Sequence, residues 1–167
     1  RFTWLTPLGE INVTTESKDD TYVGGKAYLL IFDAAGDDTY CGGGATFDVE
    51  HPVSLLIDVK GHDHYLAGPE LAKSAVETQT KRKAKAVTPL FGAGIFGYGI
   101  LLDFAGNDEY RSYRQTQGRG DVGVGLLWDT EGNDQYDCWA QCQASAELGG
   151  GFLVDAAGQD SYQTFQQ

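Results

Sequence analysis

Five perfect copies of one eight-residue pattern, Asp-x-x-Gly-x-Asp-x-Tyr, constrain this chain more than any other feature. They run from Asp33 to Tyr40, Asp58 to Tyr65, Asp103 to Tyr110, Asp129 to Tyr136 and Asp155 to Tyr162. Their tyrosines are spaced 25, 45, 26 and 26 residues apart, a period of about 26 broken once by an insertion of about 19 between Tyr65 and Leu90. A degenerate copy, Thr15 to Tyr22, keeps Asp20 and Tyr22, sets Lys18 in the glycine position and reads as a cap. A repeat this short cannot bury a hydrophobic face alone, so neighbouring copies must stack.

Aligning the copies shows how they stack. Each first Asp follows an apolar triplet, such as Leu30-Ile31-Phe32, Ile100-Leu101-Leu102 or Phe152-Leu153-Val154, which reads as a short buried strand. Beyond the Tyr come an aromatic column, Tyr113, Trp139 and Phe165, and two amide columns, Gln115, Gln141, Gln167 and Gln117, Gln143. Like residues at one period form ladders when coils of chain lie on one another at the inter-strand spacing of about 4.8 Å. Propeller blades need about 40 residues or more per repeat, and helical solenoids need paired helical runs. The expectation is therefore an all-β chain, a right-handed parallel β-solenoid (β-helix) of about six coils. It forms a single domain over residues 1–167, with the degenerate N-terminal coil at 1–25 and a helical or loop insertion at about 68–88.

The turn carries a resemblance. Gly-Asn-Asp-x-Tyr at Gly106 to Tyr110, and again at Gly132 to Tyr136, resembles half of the RTX nonapeptide that binds Ca²⁺ in secreted bacterial β-rolls. The period is 26 rather than nine, and Asp-x-x stands where RTX repeats have Gly-Gly-x-Gly. The longer unit from Phe91 to Tyr110 is similar to the repeats of bacterial GNDxY-type β-solenoid proteins, and that likeness covers most of the chain. The first resemblance implies calcium as a cofactor; the second implies the fold and brings no activity.

Ten carboxylates fall into two columns: Asp33, Asp58, Asp103, Asp129, Asp155 and Asp38, Asp63, Asp108, Asp134, Asp160. Removing them from the 24 acidic residues leaves 14 against 12 basic, so these columns account for nearly all of the net charge of −12. Unit charges about 4.8 Å apart repel by roughly 3 to 4 kcal/mol at an effective dielectric of about 20. Something must compensate. One candidate is the backbone, with Asp accepting N–H bonds from its own turn while the Gly supplies positive φ. The other is a hard cation such as Ca²⁺, which takes six to eight oxygen ligands, with all ten Asp as ligands.

Other features are weaker. His62 and His64 with His51 have the donors for Zn²⁺, but they occupy one copy of a turn and read as exposed. Cys138 and Cys142 would lie about 13 Å apart in an extended strand, too far for a disulfide. Glycines at 97, 99, 123, 125, 149 and 151 alternate with the bulky Phe96, Val122 and Leu148, which predicts a bare strand face against another layer or subunit. The insertion carries Pro69 at a helix start and a basic cluster, Lys81, Arg82, Lys83 and Lys85, and reads as a solvated element or as a docking element for an acidic partner.

With 12 basic against 24 acidic residues the chain is a poor ligand for nucleic acid, and its longest apolar stretch, Leu90 to Leu102, is too short and glycine-broken for a membrane span. Since it starts at Arg1 and holds no Met, it reads as a chain that has lost a leader or as a piece of a longer one, and a periplasmic or extracellular location is the expectation. The functional expectation is a noncatalytic acidic module, structural or for assembly and binding, with calcium as an optional stabiliser. Self-association or a partner protein would use the C-terminal coil edge or the Gly-rich face. The alternative is a polysaccharide-active β-helix, a lyase or hydrolase, with Asp137 and Trp139 or Arg111 and Tyr113 lining a sugar groove. Against catalysis, the carboxylates recur in every coil, whereas a reaction needs one unique pair.

Overall fold

The structure, a computed structural model, describes residues 1–67 and 90–166, with side chains through Thr164. The expected insertion at about 68–88, its basic cluster included, and Gln167 lie outside the described residues. The described chain is all-β, with no helix. Its strands form three sheets whose members recur at the repeat period.

The apolar triplets build the seven-stranded sheet. Its members are β1 (Phe2–Thr6), β2 (Gly9–Thr14), β4 (Tyr28–Asp33), β6 (Val53–Asp58), β9 (Tyr98–Asp103), β12 (Val124–Asp129) and β15 (Gly150–Asp155). From β2 onward every pair is parallel, and the copies are in register: Leu101 opposite Leu127 and Leu56, Asp103 opposite Asp129 and Asp58. Only β1 runs antiparallel, pairing Phe2 with Val13 and Trp4 with Ile11.

The tyrosines open the strands of a six-stranded sheet. These are β3 (Thr21–Tyr22), β5 (Thr39–Tyr40), β7 (His64–Leu66), β10 (Glu109–Arg114), β13 (Gln135–Ala140) and β16 (Ser161–Gln166). A third sheet is formed by the two-residue strands β8 (Gly94–Ile95), β11 (Gly120–Asp121) and β14 (Ala146–Glu147). Both of these sheets are parallel, and tyrosine again meets tyrosine, Tyr110 opposite Tyr65 and Tyr136.

The triplets are not buried throughout. A strand points successive side chains to opposite faces, and only the middle residue turns inward: Ile31, Leu56, Leu101 and Leu127 are fully buried. Their flanking residues form two outward columns. One is Ile11, Leu30, Leu55, Ile100, Leu126 and Phe152; the other is Val13, Phe32, Ile57, Leu102, Trp128 and Val154.

The glycines also act otherwise than expected. Among the motif glycines only Gly36 and Gly158 have positive φ; Gly61, Gly106 and Gly132 do not. What they share is space, because a Cβ at Gly106 would collide with the carbonyl oxygen of Gly61, and one at Gly132 with that of Gly106. Of the two alternatives for the bare Gly-rich face, another layer of the same chain fills it: a Cβ at Gly99 would strike the Ala93 carbonyl, and one at Gly125 the Arg119 carbonyl. Phe96, Val122 and Leu148 are not strand residues but exposed corners with φ of 54°, 51° and 54°. Left-handed backbone is costly for a β-branched residue such as Val122, and it recurs here because each corner must turn the chain between the third sheet and the first.

Candidate functional site

The parity that buries Leu101 also buries Asp103, two residues on, and the same parity joins Asp108 to Tyr110. Both Asp columns and the Tyr column therefore meet inside, and Asp33, Asp38, Asp58, Asp63, Asp103 and Asp129 are fully buried. Asp108 and Asp134 are nearly so, and Asp155 and Asp160, on the last rung, are half-buried. All ten expected residues are thus brought together along one line.

Six tyrosines, Tyr22, Tyr40, Tyr65, Tyr110, Tyr136 and Tyr162, stack nearly parallel with ring centroids 4.5 to 4.9 Å apart. Their hydroxyls donate to the first Asp column. Tyr65 gives its proton to Asp103 Oδ2 at 2.7 Å, and Tyr110 lies 3.0 Å from Asp103 Oδ2 and 2.9 Å from Asp129 Oδ2. In the N-terminal copy Thr14 rather than Thr15 stands opposite Asp33, and its hydroxyl lies 3.0 Å from that of Tyr22.

The second column is capped by backbone, but from the neighbouring rung rather than its own turn. The N–H of Asp38 donates to Asp63 Oδ1 at 2.6 Å, that of Asp63 to Asp108 Oδ1 at 2.7 Å, and that of Asp108 to Asp134 Oδ1 at 2.7 Å. The expected turn-internal bond is present at Asp33, where the Ala35 N–H lies 3.3 Å from Oδ1. At Asp58 the Lys60 N–H is near enough to favour the charge but is not in hydrogen-bonding geometry.

Both oxygens of Asp33 are bonded, but in eight of the ten carboxylates one oxygen is left over. Buried oxygens without a partner are Oδ1 of Asp58, Asp103, Asp129 and Asp155 and Oδ2 of Asp38, Asp63, Asp108 and Asp134. An uncompensated buried carboxylate is among the costliest groups a fold can hold. Burial, reinforced by the neighbouring carboxylates, raises the proton affinity of Asp38, Asp58, Asp63, Asp103, Asp108 and Asp155. Asp129 and Asp134 are pushed up to about 7.

Two neutralisers suit this arrangement. One is a proton shared between neighbouring carboxylates, since Asp33 and Asp38, like Asp155 and Asp160, offer oxygens within 4.8 Å of each other. The other is a metal ion. Asp33, Asp38 and Asp58 each offer an oxygen within 4.8 Å of the others; so do Asp58, Asp63 and Asp103, then Asp103, Asp108 and Asp129, then Asp134, Asp155 and Asp160. An all-carboxylate donor set with orphaned oxygens fits a hard cation and not a thiophilic one.

The other candidate ligands disperse. The Nδ1 atom of His51 lies 3.0 Å from Asp48, that of His62 accepts the Asn107 N–H at 2.9 Å, and that of His64 lies 3.3 Å from Glu109. His62 belongs to an outer ladder that sequence reading missed. At the position before the second Asp, Asp19, Asp37, His62, Asn107 and Asn133 each accept the backbone N–H of the next copy, and Gln159 ends the series. The signal was present, since all of these side chains can accept a hydrogen bond.

Cys138 and Cys142 correct the extended-strand reading, because a disulfide joins them. The chain turns at Gln141, φ 55°, and brings their Cα atoms to 6.3 Å, within bridging range. Asp137 and Trp139, and Arg111 and Tyr113, lie on the outward face of the six-stranded sheet. There Arg111 pairs with Glu109 and lies 3.8 Å from Asp137. No helix among the described residues is long and apolar enough to cross a membrane. No protein-family model, curated protein or solved structure matches the chain.

Proposed function

We propose that this chain is a noncatalytic β-solenoid, a structural or assembly module, whose interior Asp columns take up calcium. The solenoid reading is supported by strand order. From β8 to β16 the chain visits the third, first and second sheets in rotation, and each visit adds the next parallel neighbour. The carrying observation for the metal is the double row of eight buried carboxylate oxygens left without a partner. The site residues are Asp33, Asp38, Asp58, Asp63, Asp103, Asp108, Asp129, Asp134, Asp155 and Asp160, and calcium would supply charge neutralisation rather than chemistry. The repeated Tyr hydroxyls and the second Asp column bond to neighbouring rungs, and the Asp of the inner rungs are buried away from any polymer. The Cys138–Cys142 disulfide supports an oxidising, extracytoplasmic location.

Thermal melting in calcium and in EGTA tests the metal. Calcium at about 100 times its dissociation constant should add about 3 kcal/mol of stability. Asp108→Asn sharpens the result: its amide can still accept the Asp63 N–H through oxygen while its NH2 group mimics the bound proton. The variant should keep metal-free stability and respond less to calcium. A melting temperature indifferent to calcium and EGTA in the native chain, from acid to alkaline pH, ends the calcium reading and leaves protons as the neutraliser.

A further inference from the structure

The outward face of the seven-stranded sheet is apolar at every strand. The two columns built from the triplets carry no polar side chain except the indole of Trp128, and a third column adds Val53, Tyr98 and Val124. On β1, Phe2 and Trp4 continue the same face, because they pair with Val13 and Ile11. The large side chains stand in solvent: Trp4 is 59% exposed, Tyr98 57%, Phe152 51% and Trp128 43%. An antiparallel sheet with one face in water turns polar residues to that face, whereas a parallel sheet this apolar is normally covered on both faces. Seven strands about 4.8 Å apart and five or six residues of about 3.3 Å rise give a face of about 600 Å². That reaches the upper end of the patches monomers leave exposed.

We propose that this face is a homodimer interface, closed by the same face of a second copy. Three observations select that occupant. First, the face has an extent of the order an interface needs, about 600 Å² in projection against roughly 800 Å² of accessible area per partner in a standard complex. Second, charge permits it. The chain has a formal net charge of −12, so two copies repel over most orientations, yet the columns of this face bear no charged side chain, because Asp33, Asp58, Asp103 and Asp129 at the strand ends point inward. Third, the surface matches itself. Its middle column is aliphatic from Ile11 to Leu126, and two such sheets pack aligned at about 10 Å. A sugar ligand would need hydrogen-bonding groups that this face offers only at Tyr98, Trp4 and Trp128.

Sedimentation equilibrium of the full chain from low micromolar to near-millimolar concentration tests the proposal. A monomer–dimer equilibrium is expected. Ile100→Lys and, separately, Leu126→Lys should each weaken it about a hundredfold or more, since each sets two like charges across a two-fold interface. Both side chains point outward, so circular dichroism and melting of the variant monomers should match the native chain. If either lysine variant fails to fold, Trp4→Ser and Trp128→Ser at the rim decide, with a smaller but clear weakening. Leu148→Lys, at a corner off this face, should leave the equilibrium unchanged. A monomer at every concentration overturns the proposal, and so does a dimer that survives both lysine variants or is lost with Leu148→Lys. Monomers that bind neutral phosphatidylcholine vesicles would reassign the face to a lipid surface.

Discussion

The two larger sheets are built from the same repeats, yet their outward faces are opposites. Outside the seven-stranded sheet the residues are Leu, Ile, Val, Phe and Trp with Tyr98; outside the six-stranded sheet they are the polar His64, Glu109, Arg111, Gln135, Asp137 and Gln163, with one short aromatic column of Tyr113 and Trp139. Inside, one column of each sheet is uniform over the perfect copies, Leu or Ile on one sheet and Tyr on the other. The difference separates two kinds of repetition. Inward identity is imposed by stacking, because each side chain must seat on its copy about 4.8 Å away. Outward composition is not imposed by stacking, so a face kept apolar over seven strands reports something outside the coil.

The largest effect is expected where stacking leaves no room. In Gly106→Ala the new Cβ meets the Gly61 carbonyl and the Asp108 carboxylate, so the rungs must part at the turn between β9 and β10. A loss of roughly 4 kcal/mol or more is expected in chemical denaturation, since backbone cannot yield as a flexible side chain can. A loss below about 1 kcal/mol would mean that the rungs slide freely and that register is not what holds the sheets together.

Next comes a direct contrast within one triplet. Leu101→Ala removes a fully buried side chain and should cost about 2 to 5 kcal/mol. Ile100→Ala, its outward neighbour, should cost the monomer less than about 1.5 kcal/mol. Equal losses, measured at concentrations where the chain is monomeric, would break the distinction between the two faces.

That contrast was only half legible in the sequence. The fixed spacing of Asp, Gly and Tyr showed in-register copies, and the Asp and Tyr columns lie where the spacing put them. The triplets read as wholly buried because three apolar residues in a row conceal a period of two, and only Asp103, on the same parity as Leu101, marks which way the strand faces. Neither the αL corners at Phe96, Val122 and Leu148 nor the turn at Gln141 has a compositional signal, since glycine is the residue that usually marks positive φ. The disulfide was lost with that turn. The orphaned oxygens were beyond reach as well, because which oxygen of Asp108 faces the Asp63 N–H is a matter of rotamer.

A smaller effect separates the interior columns from both outward faces through pH. Asp129 and Asp134 are raised from 3.8 to about 7 by burial and by neighbouring carboxylates. The folded chain therefore holds more protons than the unfolded chain between these values. Their stabilising contribution is complete below about pH 4 and is lost as pH rises through about 7. In EGTA the melting temperature should fall between pH 5 and pH 8, and calcium should restore it most at the upper end, where carboxylates need no proton displaced. A melting temperature that rises across this window in EGTA would show that the columns are ionised and content without either neutraliser.

The smallest effect is expected on the charged face. Arg111 pairs with Glu109 and lies 3.8 Å from Asp137, so this patch reads as an ion network laid across β10 and β13. Its partners are only about one-fifth exposed, yet they stand on a sheet face bathed by solvent, where such pairs contribute about 0.2 to 1 kcal/mol and are screened by salt. Arg111→Ala also leaves Glu109 and Asp137 as like charges on adjacent strands, which cross-strand pairing penalises by a similar amount. The sum should stay near 1 kcal/mol in low salt and shrink in molar salt, whereas Leu101→Ala should keep its cost in both. If Arg111→Ala instead matches the core substitution and resists salt, the outward face of the six-stranded sheet is as tightly specified as the interior, and the free composition argued for outward positions fails on the side where it was least in question.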